Sequence, residues 1–152
     1  MQDEGGSAAE GNTMGQPVVH FEITGKDPEA LQRYYGELFG WEYDTSGPVS
    51  DSVSEHGRYG FVPRYETEDG TGIRGGVGGG PAYPSHVIVY VGVPDVEAAL
   101  AKAEELGGTR VLGPVRSPGT GLVIGHFTDP DGHLLGVAGT AQDDGDAAID
   151  PA

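Results

Sequence analysis

Apolar side chains alternate or run together from Val18 to Thr24, a pattern typical of a β-strand. The next segment, Asp27-Pro28-Glu29, predicts the start of a helix with proline at its first position. Apolar residues then recur at helical spacing, and Gly40 stands where a C-terminal cap belongs. These apolar positions are Leu31, Tyr34, Tyr35, Leu38 and Phe39. One strand followed by one amphipathic helix is predicted.

The same order returns later in the chain. The segment from His86 to Val91 predicts a strand, Pro94-Asp95 a helix start, and Gly107-Gly108 its end. The apolar residues expected to form the buried face of this helix are Val96, Ala99, Leu100, Ala103 and Leu106. Because His20 and His86 hold equivalent places in the two halves, the chain is interpreted as an internal repeat.

Three shorter strands are predicted after each helix. In the first half they cover residues 41–43, 59–65 and 73–77. In the second half they cover residues 109–112, 122–128 and 133–137. Residues 66–72 and 129–132 have the composition of turns between the last two strands of each half. The predicted fold class is α+β, with two βαβββ modules at about 16–80 and 84–138.

Composition narrows the chemistry and the partners. A chain of 152 residues fits one domain, and the lack of cysteine excludes disulfides, thiolate metal sites and a cysteine nucleophile. With 24 acidic against 8 basic residues, the surface repels phosphate backbones, so a nucleic acid partner is not expected. No apolar run is long enough to span a bilayer, and we expect a cytoplasmic protein with disordered acidic tails at 1–15 and 139–152.

Several segments resemble the vicinal oxygen chelate superfamily, which includes glyoxalases, bleomycin resistance proteins and dioxygenases. The resemblance covers roughly residues 16–138, and it rests on His20-Phe21-Glu22-Ile23, Asp27-Pro28-Glu29, Tyr34-Tyr35, Leu38-Phe39-Gly40-Trp41 and Asp129-Pro130-Asp131-Gly132-His133. It implies curled mixed sheets around a cavity, often completed by a homodimer.

The resemblance also implies a metal site in the metal-dependent members, where two histidines and carboxylates hold one divalent ion. His20 and His86 match the two histidine positions. The carboxylate positions fall on Gly136 and on Gly75 or Gly76, which have no ligating side chain; Glu66 and Glu68 are the nearest replacements. Since two imidazoles alone make a poor site, no catalytic metal is expected. The alternative is one divalent ion, Fe, Ni, Mn or Zn, on His20 and His86.

The predicted ligand-binding residues are histidines, aromatic residues, one carboxylate and one glycine that share predicted strand faces. They are His20, Glu22, Tyr59, Phe61, His86, Tyr90, His126 and Gly136. Arg64 and Arg74 would favour a negatively charged ligand if they face the cavity; otherwise they pair with Glu66 or Glu68 on the surface.

Three functions remain open on the sequence. The first is a metal-free protein that binds a small molecule, in the manner of bleomycin resistance proteins. The second is a metal-dependent lyase, isomerase or dioxygenase that uses His20 and His86. The third is a metal-independent enzyme in which one of these histidines acts as a general base.

Overall fold

The computed structural model describes residues 15–140. The helices are α1 (Pro28–Phe39) and α2 (Val96–Glu105). The strands are β1 (Val18–Gly25), β2 (Gly60–Val62), β3 (Arg74–Gly79), β4 (His86–Gly92), β5 (Thr109–Arg116), β6 (Leu122–Thr128) and β7 (Leu134–Thr140). None of the helices in this part of the chain is long and apolar enough to cross a membrane.

Side-chain caps set both helix starts where the sequence predicts them. The Asp27 carboxylate accepts a hydrogen bond from the Ala30 amide at 3.2 Å, and the Asp95 carboxylate accepts one from Ala98 at 3.0 Å. Helix α1 ends at Gly40, whose φ of 77° is left-handed. The predicted boundaries of α1 are therefore confirmed.

The strands form one seven-stranded mixed sheet in the order β2-β3-β1-β4-β7-β6-β5. The two halves meet where β1 pairs antiparallel with β4, with His20 opposite Tyr90 and Glu22 opposite Ile88. Within each half, the first strand pairs parallel with the last: β1 with β3, and β4 with β7. The predicted α+β fold with a mixed sheet is confirmed, and the sheet is continuous across the two modules.

Two apolar clusters lie on the sheet. One joins Val49, Val53 and Tyr59 of the segment before β2 to side chains on the strands, which are Ile88, Tyr90, Ile124 and Ala138. The other packs α2 on β6 and β7 through Val96, Leu100, Val123 and Val137. The first cluster holds the segment around residues 49–53 against the face on which the functional site lies.

Two predicted buried faces are partly wrong. On α1, Tyr34, Leu38 and Phe39 are more than half exposed, and Leu106 after α2 is 68% exposed. Each helix therefore buries fewer of its apolar side chains than their spacing suggests. For Leu106 the reason is that it lies beyond the last turn of α2.

The predicted strand at 41–43 is wrong, because this segment makes only an isolated bridge between Asp44 and Phe61. Trp41 instead packs against Phe21 and Phe39 in tilted arrangements, with ring centroids 5.1 and 5.2 Å apart. Strand β2 is also shorter than predicted: it ends before Pro63, which has no backbone N–H to continue the ladder.

Candidate functional site

A cavity of about 590 Å³ lies against one face of the sheet. Its walls come from β1, from the segment before β2 and β2 itself, from the loop before β3, from β3, β4, β6 and β7, and from the loop before β6. The lining is mostly apolar and consists of Val18, Val19, His20, Glu22, Pro48, Val49, Ser50, Val53, Tyr59, Phe61, Arg64, Gly72, Ile73, Arg74, Tyr90, Ser117, Thr120, Leu122, Ile124 and Ala138. This volume is within the usual range for small-molecule sites.

The wall formed by residues 48–53 is anchored at two points, Ser54 and Asp51. Ser54 is fully buried, and its hydroxyl accepts a hydrogen bond from the Gly79 amide at 2.9 Å. The Tyr83 hydroxyl donates to the Asp51 carbonyl at 2.6 Å. Val49 and Val53 are thereby held facing the sheet, where both are 6% exposed.

Glu22 is the polar centre of the cavity floor. It is only 3% exposed, and both of its carboxylate oxygens accept a hydrogen bond from a tyrosine. Tyr59 donates to Oε1 and Tyr90 donates to Oε2, each at 3.1 Å. Burying a carboxyl group without partners is very costly, so these two hydroxyls offset the cost of burying Glu22 here.

Each tyrosine also contacts one histidine. His20 Nε2 lies 3.0 Å from the Tyr59 hydroxyl, and His126 Nε2 lies 2.7 Å from the Tyr90 hydroxyl. A tyrosine has one hydroxyl hydrogen, which here is donated to Glu22. The imidazoles must then donate from Nε2, which leaves Nδ1 of each neutral ring as a proton acceptor.

The result is a two-armed network: His20 to Tyr59 to Glu22 on one side, and His126 to Tyr90 to Glu22 on the other. His86 stands beside it, with Nε2 3.7 Å from Glu22 Oε2. This nitrogen is buried and has no hydrogen-bond partner within the described chain.

Burial sets the proton affinities of this network. Desolvation lowers the pKa of His20 below its ordinary value, and the positive charge of Arg74 lowers it further, against an opposing effect of Glu22. Desolvation also lowers the pKa of His126, with His86 acting in the same direction. The pKa values of Tyr59 and Tyr90 are raised by burial and by the negative charge of Glu22. At neutral pH both histidines and both tyrosines are therefore uncharged.

Glycines in the last strand of each half make room for the tyrosines. Gly136 lies between Tyr90 on β4 and His126 on β6, so the two rings meet across a strand position without a side chain. A Cβ atom at Gly136 would lie 2.4 Å from the Tyr90 ring, and one at Gly76 would lie 2.2 Å from the Tyr59 ring. These glycines allow both hydroxyls to reach Glu22.

The structure brings most of the predicted ligand-binding residues together. Those that line the cavity are His20, Glu22, Tyr59, Phe61 and Tyr90. The remaining three, His86, His126 and Gly136, lie behind the lining and contact Glu22 or Tyr90. Arg64 and Arg74 both line the cavity. Arg64 nevertheless pairs with Glu66 and donates to the carbonyls of Gly70 and Gly72 in its own hairpin.

Sequence reasoning missed the wall at residues 48–53 and the polar residues Ser117 and Thr120. A usable signal was present in the wall, since Val49 and Val53 are apolar and four residues apart inside a serine-rich segment. Ser117 and Thr120 lie in a turn before β6 and carry no such pattern.

The metal site implied by the family resemblance does not fit these residues. Nε2 of His20 is engaged with Tyr59, and the tyrosine rings fill the space that side chains at Gly76 and Gly136 would need. Glu66, a suggested replacement ligand, is instead bound to Arg64. Residues 15–140 contain no group of three or more His, Asp or Glu side chains arranged to hold a metal ion.

Solved structures of other proteins share this fold. A variant of Streptomyces coelicolor methylmalonyl-CoA epimerase, in complex with 2-nitronate-propionyl-CoA, is 20% identical with a TM-score of 0.59; the match covers 83% of this chain and 98% of that one. Mycobacterium tuberculosis methylmalonyl-CoA epimerase is 15% identical with a TM-score of 0.56, over 84% of this chain and 89% of that one. At these identities the likeness is one of fold. No curated protein matches the sequence.

A family model supplies the stronger evidence, because it is matched by most of the chain. The model describes the glyoxalase/bleomycin resistance protein/dioxygenase superfamily, and residues 18–137 match it. The matched range takes in both helices, all or part of every strand, and every residue of the Glu22 network. The chain therefore belongs to the glyoxalase/bleomycin resistance protein/dioxygenase superfamily.

Proposed function

We propose that the protein binds a small, largely apolar organic molecule in the cavity above Glu22, and that it does so without a catalytic metal. The observation that carries this proposal is the pair of tyrosines over Gly76 and Gly136. The rings fill the space over two glycines near which the family resemblance implies carboxylates, and their hydroxyls turn the floor into a hydrogen-bonding surface around Glu22.

Apolar side chains at the cavity rim support binding of an apolar molecule. Val18, Val19, Ile73 and Leu122 line the cavity and are 37–45% exposed. A ligand that covers them removes apolar surface from water, which is favourable by about 25 cal/mol per Å². Exposed apolar side chains that converge on one concave site are typical of a binding pocket.

The metal-free part of the proposal is tested by elemental analysis. The protein is exposed to Fe(II), Ni(II), Mn(II) and Zn(II), passed through gel filtration and compared with a His20→Ala/His86→Ala variant. We expect metal well below one equivalent in both. Near-stoichiometric metal that is lost in the double variant would overturn this part of the proposal.

The binding part is tested with the neutral fluorescent dye prodan and two tryptophan variants. Leu122→Trp narrows the cavity rim, whereas Leu106→Trp places the same side chain at an exposed position outside the cavity. We expect prodan fluorescence to rise with the wild type and with Leu106→Trp, and to rise much less with Leu122→Trp. Equal responses of the two variants would contradict binding at this site.

A second candidate function is metal-independent proton transfer with His20 as the general base. It is favoured by the neutral imidazole of His20, whose Nδ1 is left as a proton acceptor by the bond at Nε2. Such a base would take a proton from a carbon next to a carbonyl, leaving an enolate, and return it afterwards. Because the similar structures are methylmalonyl-CoA epimerases, the test is deuterium uptake by methylmalonyl-CoA in D2O with EDTA. Uptake that persists in His20→Gln, or no uptake by the wild type, would contradict it.

Two further properties belong to this proposal. Two copies are expected to associate, as the family resemblance implies, and sedimentation equilibrium should then give twice the chain mass of 15.7 kDa. A mass of 15.7 kDa at micromolar concentration would overturn that expectation.

A cytoplasmic location also remains a proposal, which microscopy of the tagged protein would test.

A further inference from the structure

Arg74 differs from the other arginines at or near the site in how its charge is balanced. Arg58 pairs with Glu29 and Glu55, and Arg64 pairs with Glu66. Arg74 makes no hydrogen bond or ion pair with any residue of the described chain, although it belongs to a protein with 24 acidic residues. An uncompensated guanidinium at a cavity rim is a site for an anion.

The position of Arg74 fixes where such an anion would lie. Arg74 begins β3 and is paired with His20 of the parallel strand β1, while Gly76 is paired with Glu22. Since residues two apart on a strand share a face, Arg74 and Gly76 both belong to the cavity side. The Arg74–His20 pair and the Gly76–Glu22 pair are about 7 Å apart along the strands. The cation thus marks the outer end of the cavity, and the Glu22 network marks its floor.

We infer that the ligand is an organic acid with one negative charge, whose carboxylate binds Arg74 at the rim while its apolar body extends over the valine and isoleucine side chains toward the floor. This inference rests on the proposed binding function and specifies the ligand class. One free guanidinium balances one charge, and its planar fork suits a carboxylate. A more highly charged ligand would bring uncompensated charge toward Glu22, whose own carboxylate is already satisfied by two tyrosines.

The surroundings of Arg74 favour a ligand over an internal partner. Arg74 also borders a neighbouring cleft that contains Glu42 and Asp44, yet it pairs with neither. The Asp44 carboxylate instead accepts hydrogen bonds from the Ser46 amide and hydroxyl. The positive charge of Arg74 is felt by His20, whose pKa it helps to lower, so it acts toward the cavity.

The test compares acids with neutral molecules of the same shape. Octanoate and 4-phenylbutyrate are titrated against octanamide and 4-phenylbutanamide by isothermal titration calorimetry. We expect the wild type to bind the acids about tenfold more tightly than the amides, as one charge-assisted contact allows. In Arg74→Gln the preference should disappear because acid binding weakens while amide binding stays, and Arg74→Lys should retain part of it.

Arg33→Gln is the matched control, because it removes the same charge from an exposed position on α1 outside this cavity. It should keep the acid preference. Equal binding of acids and amides by the wild type would overturn the inference, as would an equal loss in Arg33→Gln and Arg74→Gln. If neither series bound the wild type at millimolar concentration, the proposed binding function itself would fail, which is a distinct outcome.

Discussion

The Tyr90 hydroxyl can reach Glu22 and His126 because the residue paired with Tyr90 on the neighbouring strand β7 is Gly136, which has no side chain. The ring passes over Gly136, where a Cβ atom would come within 2.4 Å of it. The same relation holds between Tyr59 and Gly76. Each tyrosine and its glycine therefore form one unit, in which the ring fills the space that a side chain at the glycine would occupy.

This unit predicts a non-additive effect of two substitutions. Gly136→Ala should lower the free energy of unfolding by about 1–3 kcal/mol, because the new methyl group overlaps the Tyr90 ring. In a Tyr90→Ala background the same change should cost much less, since the ring is gone. Urea unfolding of the four proteins of this cycle measures the coupling. Equal costs in the two backgrounds would show that Tyr90 does not occupy the space above Gly136.

Buried neutral histidines give the protein a stability that depends on pH. Because the pKa of His126 is lowered in the folded state, the unfolded chain binds more protons than the folded chain once the pH falls below the ordinary histidine pKa of about 6.5. The stabilisation that comes from a neutral His126 is thus fully present above that pH and is lost as the pH falls below it. Glu22, His86 and Tyr90 are the groups that surround the ring.

In wild type the free energy of unfolding should fall between pH 6.5 and 5, and we expect His126→Gln to reduce the slope of this fall by up to about 1.4 kcal/mol per pH unit. The measurement is urea unfolding at pH 7, 6 and 5. His56→Gln, which changes an exposed loop histidine, serves as the control and should follow the wild type. Parallel curves for wild type and His126→Gln would rule out His126 as a source of the decline.

At the site, strand alternation alone places His20 and Glu22 on one face, and the repeat gives His86 the place equivalent to His20 in the second half. The tyrosine hydrogen bonds that connect His20 and His126 to Glu22 cannot be predicted from the sequence. They depend on the register that sets His20 against Tyr90 and on a tyrosine crossing a glycine to reach another strand. Neither feature has a local signature.

Helix ends in this protein are encoded locally, and helix burial is not. Asp27, Asp95 and Gly40 act on their own backbone neighbours, so the sequence predicts the starts of both helices and the end of α1. Whether Leu38 or Leu106 is buried depends on what packs above it, which no local pattern contains. Both are more than half exposed, although they continue the apolar spacing.

Leu100, in the middle of α2, and Leu106, directly after its end, show that apolar spacing does not by itself predict burial. Leu100 is completely buried against β6 and β7, whereas Leu106 is 68% exposed. We expect Leu100→Ala to lower the free energy of unfolding by about 2–5 kcal/mol through loss of contacts and formation of a cavity. Leu106→Ala should cost less than about 1 kcal/mol. Similar costs from urea unfolding would contradict the packing of α2 described above.

At the scale of the molecule, the repeat predicts two modules, and the structure joins them into one sheet through β1 and β4. The pairing puts Glu22 opposite Ile88 at the centre of that junction. A buried carboxylate at this place draws one tyrosine from each half, Tyr59 and Tyr90. The floor of the site thus takes side chains from both halves of the chain, and neither half alone contains its three members.

The formal net charge of −16 is the other property of the whole molecule. Basic residues such as Arg58 and Arg110 each pair with acids, but 24 acidic residues stand against only 8 basic ones, so the remaining acids repel one another. Salt screens this repulsion, because the Debye length falls from roughly 14 Å at 0.05 M to about 3 Å at 1 M. Sodium chloride should therefore raise the melting temperature, by about 2–4 °C for each kcal/mol of stability gained.

A variant with fewer surface acids distinguishes screening from other effects of salt. Glu37→Gln, Glu42→Gln, Asp51→Asn and Glu68→Gln change four exposed acids that form no ion pair in the described chain, which moves the net charge from −16 to −12. At 0.05 M sodium chloride the variant should have a higher melting temperature than the wild type. Between 0.05 and 1 M its melting temperature should rise less than that of the wild type, because less repulsion remains to be screened. If both proteins gained equally, the salt effect would have to come from the burial of apolar surface, which is the same in both, and not from the acidic surface.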